Sequence, residues 1–124
     1  MDPLTQDAYA EALVRRTAEE LARLLEEMAR ALDPFPSFLG MRTLQAVEVE
    51  GDLPGPERGC IVVTPEGRLC ELAIRMLPAP LETGVVDTVE EFRELDLSPE
   101  EFVFYARRAI RTLARLLQER EKGG

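Results

Sequence analysis

The sequence predicts an α+β domain in two layers: a three- to four-stranded antiparallel sheet with long N- and C-terminal helices packed on one face. Three observations carry this. Apolar residues recur at helical spacing up to Leu32 and again from Phe102 to Leu117. Between these stretches, Gly and Pro divide the chain into short segments rich in Val, Ile and Leu. Pro65-Glu66-Gly67 joins two of those segments at hairpin spacing. With 124 residues and no repeat or linker, the chain is one domain, 1–124.

The first helix opens on Asp2-Pro3, a side-chain acceptor at the N-cap followed by a proline whose missing N–H costs nothing in the first turn. Val14, Thr17, Leu21, Leu24, Met28 and Ala31 step by three or four along its apolar face. Glu11–Arg15, Glu19–Arg23 and Glu26–Arg30 are spaced for i,i+4 ion pairs, and Asp33-Pro34 ends the helix. About 30 helical residues span roughly 45 Å. A compact domain of this size is only about 36 Å across, so the helix bends or meets another chain.

A connector at 34–41, apolar for a loop, leads to a strand at 42–50 and a Gly/Pro-rich turn at 51–59. Strands at 60–64 and 68–76 then form a hairpin in which Thr64 pairs with Arg68 and Val62 with Cys70. Cys60, Val62, Cys70, Leu72, Ile74 and Met76 share one face, expected to be the core face. Residues 81–86 read as a short fourth strand. Asp87 and Glu90, at capping-box spacing, predict a short helix to Glu94, giving the order α-β-β-β-(β)-α-α. Ser98, Pro99 and Glu101 open the last helix, whose apolar face is Phe102, Ala106, Ala109, Ile110, Leu113, Leu116 and Leu117.

Composition narrows function by exclusion. A formal charge of −9 repels phosphate backbones and anionic headgroups, so neither nucleic acid nor membrane is expected as a partner. No window supplies the roughly 18 apolar residues of a membrane span. The opening Met1-Asp2-Pro3-Leu4-Thr5 lacks the features of a signal peptide, which predicts a cytoplasmic address. With no histidine, Ser-His-Asp and Cys-His catalysis and histidine metal sites fall away. Cys60 and Cys70 fit no thiolate metal or CxxC redox pattern, and are expected to be inert core thiols. Phosphate-binding glycine loops are absent too, so no metal and no cofactor are expected. Acids such as Glu90, Glu91, Glu94, Glu100 and Glu101 read as helix-start residues, and no spacing singles out a catalytic pair. Arginine supplies all the basic residues but Lys122 and there is no asparagine, a bias that suits either a thermophile or GC-rich coding.

Two features stand above this background. On the polar face of the last helix Phe104 lies among Arg108, Arg111 and Arg115, the composition of a partner-binding hot spot. The apolar connector, with Phe35 and Phe38, could roof a ligand pocket with Met76, or close one end of the core. In size, charge and element order the chain resembles type III secretion chaperones, a likeness of layout from which no residue is assigned. The expected function is that of a non-catalytic interaction protein, an adaptor or chaperone-like homodimer binding another protein. The alternative is a small-ligand binding protein, or an enzyme using carboxylates and arginines around an apolar pocket.

Overall fold

The computed structural model describes residues 2–38, 44–49, 60–77 and 87–123, with side chains for all of these except 73–77 and 87–92. Helix α1 runs Pro3–Ala31. Asp2 caps it, its carboxylate accepting from the Thr5 N–H at 2.9 Å and from the Thr5 hydroxyl at 3.1 Å. The Leu32 N–H closes the other end on the carbonyls of Met28 and Ala29, and the chain leaves through a cis Asp33–Pro34 bond. Only Leu25 and Ala29 of this helix are fully buried, and residues 2–13 are exposed on every side. At about 1.5 Å per residue, some 18 Å of helix therefore projects past the body of the domain. The three expected i,i+4 pairs do not close to ion-pair distance. Water solvates such exposed charges well enough that holding two long side chains together gains little.

Four strands follow in spatial order β1-β2-β3-β4, all antiparallel: β1 Val47–Glu48, β2 Cys60–Val63, β3 Leu69–Leu77 and β4 Asp87–Glu94. The β2–β3 register is the expected one, Val62 opposite Cys70 and Cys60 opposite Leu72. Between these strands the Gly67 N–H bonds the Thr64 carbonyl at 2.8 Å, and the Thr64 N–H bonds the Arg68 carbonyl at 3.0 Å. Gly67 takes φ +81°, the left-handed step that completes a three-residue hairpin loop. The turn lies hard against α1: a Cβ on Gly67 would stand 2.6 Å from Glu26 Cα and 2.8 Å from the Leu25 carbonyl oxygen.

Residues 87–94 are a strand and not the short helix that the Asp87/Glu90 spacing predicts. A capping box satisfies two N–H groups, whereas β4 pairs with β3 at eight positions from Cys70↔Glu94 to Leu77↔Asp87. Without β4 the nine-residue β3 would present an unpaired edge. The candidate strand at 81–86 and the turn at 51–59 lie outside the described residues.

Among the described residues, both faces of the sheet bury apolar side chains. The helices cover Val47, Val49, Ile61, Val63 and Leu69, which join Leu25, Ala29 and Leu32 from the α1 end and Tyr105, Ala106, Ala109 and Leu113 in one core. The expected core face is buried at Val62, Cys70 and Leu72, but it is covered by Phe38, Leu44 and Ala46 and not by the helices. Segments 36–38 and 44–46 pair to make this cover: the Phe38 N–H bonds the Leu44 carbonyl at 2.8 Å and the Ala46 N–H bonds the Pro36 carbonyl at 3.2 Å. Cys60 shares that face but is exposed, so the expectation of two buried thiols holds for Cys70 alone.

Helix α2, Pro99–Gly123, closes the helical layer. Its capping box forms as expected, with the Glu101 N–H on the Ser98 hydroxyl and the Ser98 N–H on the Glu101 carboxylate, both at 3.2 Å. Phe102, in its first turn, shares a cleft with Ala22, while Arg120, near its end, donates to the Pro34 carbonyl. The two helices therefore run in broadly the same direction, and the projecting part of α1 lies beyond the start of α2.

Candidate functional site

The outer face of α2 follows from its inner one. Tyr105, Ala106, Ala109, Thr112 and Leu113 are buried, so residues half a turn away must face water. Phe104, Arg107, Arg108 and Arg111 line a shallow groove there of about 200 Å³. Phe104 keeps 40% of its surface exposed, unusual for an aromatic on a charged face. It is nevertheless held in place: its ring meets the buried Tyr105 ring edge to face at 5.4 Å and 89°. The Arg108 guanidinium lies over the Phe104 ring, 4.6 Å from its centroid. An exposed cation–π contact of this kind contributes about 0.5–1 kcal/mol, enough to favour one rotamer pair. Thr112 fixes the backbone beneath, its hydroxyl donating to the Arg108 carbonyl at 3.0 Å.

Electrostatically the groove runs against the rest of the molecule. Among the described residues Arg107, Arg108 and Arg111 make no ion pair. Arg115, one turn on, leans toward Glu119 at 3.8 Å and lies outside the groove lining. The structure thus gathers Phe104, Arg108 and Arg111 as expected, sets Arg115 at the margin, and adds Arg107. Its position three residues after Phe104 was a readable signal for that addition. A guanidinium cluster beside a flat apolar ring suits a carboxylate-bearing segment with an apolar side chain. The groove lining holds no nucleophile and no general base.

Phe35 and Phe38 are buried on opposite sides of the sheet, one in each apolar cluster, so they do not frame a common cavity. The Met76 side chain lies outside the described part. A different cleft, of about 220 Å³, is lined by residues that include Glu26, Gly67, Arg68, Glu94, Leu97 and Phe102. Arg68 Nη1 and Glu94 Oε1 pair across it at 2.6 Å. The Glu94 carboxylate pushes the Arg68 guanidinium up in pKa, first through this hydrogen bond and then through its charge.

Both thiols are pushed up in pKa, first by burial and then by a neighbouring acid: Glu48 for Cys60, Glu94 for Cys70. Neither is an activated nucleophile at neutral pH. Among the described residues no group of three His, Cys, Asp or Glu side chains is placed to hold a metal ion.

Among the described residues outside α2, the large exposed apolar side chains are Leu4 at 81%, Tyr9 and Leu13 at 64%, and Leu24 at 39%, all on α1. Comparison of the chain with models of known families, with curated proteins and with solved structures finds no match.

Proposed function

We propose that this chain is a non-catalytic interaction protein, an adaptor or chaperone-like homodimer, that takes up an acidic segment of another protein on the outer face of α2. One observation carries the reading: a locked, exposed Phe104 surrounded by Arg107, Arg108 and Arg111, which make no ion pair among the described residues. In a chain of net charge −9, an unpaired basic groove is selective, because the surrounding field repels polyanions at large while the groove attracts a short acidic stretch. Glu100 and Glu101 at the head of the helix and Glu119 at its tail limit the groove to a few carboxylates, which argues against a nucleic acid backbone or a membrane surface. Among the described residues no helix is long and apolar enough to cross a membrane, and we place the protein in the cytoplasm.

The test is fluorescence anisotropy with a fluorescein-labelled peptide of alternating glutamate and leucine. Saturable binding that weakens with salt and is lost in Phe104→Ala/Arg108→Ala/Arg111→Ala is expected. No saturable binding, or binding indifferent to the triple variant, overturns the reading. The Arg68–Glu94 cleft favours a second one, a small polar ligand with an apolar moiety seated on Leu97 and Phe102. A metabolite-library thermal shift abolished by Arg68→Ala would support it, and a flat response would remove it.

A further inference from the structure

We infer that the projecting half of α1 is covered by α1 of a second copy, the two helices running antiparallel. This rests on the homodimer part of the reading above and assigns its interface to α1, leaving the α2 groove for the other partner. The inner side of α1, through Leu21, Leu25, Met28 and Ala29, belongs to the core. On its other side Tyr9, Leu13, Arg16, Glu20 and Leu24 follow one another at steps of four, three, four and four residues, and all are exposed. At 100° per residue these five fall within an arc of about 80°, a continuous seam roughly 22 Å long.

The seam is complementary to itself in one direction only. Its apolar members, Tyr9, Leu13 and Leu24, lie toward the two ends, and its charges, Arg16 and Glu20, lie at the centre. Neither charge has an ion-pair partner among the described residues. A two-fold axis passing near Ala18 sets Arg16 of each copy against Glu20 of the other and brings Leu13 beside the opposite Leu24. A parallel pair would instead stack Arg16 on Arg16 and Glu20 on Glu20. The antiparallel arrangement also carries the two folded bodies to opposite ends, so the bare first turns of each helix lie along the better-covered half of its mate. Such a two-fold contact closes on itself and stops at two copies.

Light scattering on the full chain at micromolar concentration tests this. The wild type should have the mass of a dimer. Leu13→Glu should be monomeric, with dimerisation weakened roughly a hundredfold or more because a symmetric contact loses the residue twice. Arg16→Glu and Glu20→Arg should each dimerise poorly alone, while a one-to-one mixture of the two should recover the dimer mass. Circular dichroism at wild-type helix content shows that each variant is folded. A monomeric wild type overturns the inference. So does a dimer that survives Leu13→Glu but is broken by Phe104→Glu, or a mixture that fails to recover mass. Binding of the glutamate-leucine peptide by the Leu13→Glu variant is read separately, so loss of the dimer and loss of the α2 site are told apart.

Discussion

Gly67→Ala is the sharpest single test of how this fold is held together. The residue sits at φ +81°, where an L side chain costs about 1–2 kcal/mol. The added methyl also has no room: it would lie 2.6 Å from Glu26 Cα and 2.8 Å from the Glu26 nitrogen and the Leu25 oxygen, all backbone atoms of α1. Ordinary contact needs roughly another ångström, so the hairpin must back away from the helix at the point where Leu25 is fully buried. Overpacking of this kind costs about 1–3 kcal/mol. Together the two effects give roughly 2–5 kcal/mol, which for a chain of this length lowers Tm by about 8–19 °C. Thermal and urea unfolding followed by circular dichroism measure it, with the adjacent exposed Glu66→Ala as a neutral control. A Gly67→Ala protein within about 0.5 kcal/mol of wild type would show that the turn does not rest on α1.

Four further outcomes follow from the same geometry. Cys60 should react with a water-soluble thiol reagent before Cys70 does, yet slowly at neutral pH. Glu48→Gln should speed Cys60 by removing a charge that opposes the thiolate, and equal rates for the two cysteines would contradict the exposure difference. The Asp2 carboxyl is held below its ordinary value of 3.8, chiefly by the Thr5 N–H, so its cap is fully made above that pH and is lost as pH falls through the depressed value. The Thr5 amide resonance should titrate with a midpoint under 3.8, and a midpoint at or above it would mean that the cap is not formed in solution. Ser98→Ala removes the hydroxyl that accepts from the Glu101 N–H and should cost about 1 kcal/mol in urea unfolding, whereas no change would place the start of α2 elsewhere. Leu113→Ala opens a hole where α2 faces the sheet and should cost about 2–5 kcal/mol, while a loss under 1 kcal/mol would be incompatible with full burial there.

Local chemistry made much of this fold legible from sequence. Asp2-Pro3, Ser98-Pro99 and Pro65-Glu66-Gly67 fixed the starts of both helices and the β2–β3 register, because a cap or a tight turn is decided by residues a few positions apart. The errors came where a distant partner decides. Asp87 and Glu90 carry a helix-start pattern, but the long edge of β3 outweighs it. Ile61-Val62-Val63 is apolar on both sides, so period-two alternation could not say which side the helices take. The apolar connector gave no sign that Phe35 and Phe38 would part to opposite faces. In the α2 groove, Phe104, Arg108 and Arg111 were readable because a surface stripe repeats along one helix. That these arginines make no ion pair among the described residues was not readable, since it depends on what other elements bring near.

The order of elements along the chain has a consequence for synthesis. The sheet is a meander of neighbours, and each strand can pair as soon as the next has emerged from the ribosome. The apolar layer above it is contributed by the two long helices, which lie on either side of the sheet in sequence and meet each other only late. Until the chain has been made through Leu117, α1 can rest on the Ile61–Val63–Leu69 side of the sheet, but Tyr105, Ala106, Ala109 and Leu113 have yet to close the core that the two share. Between the making of Glu94, which finishes the sheet, and that of Leu117, then, the nascent protein holds a complete sheet and an unsealed core, the interval in which premature contact with other chains is most damaging.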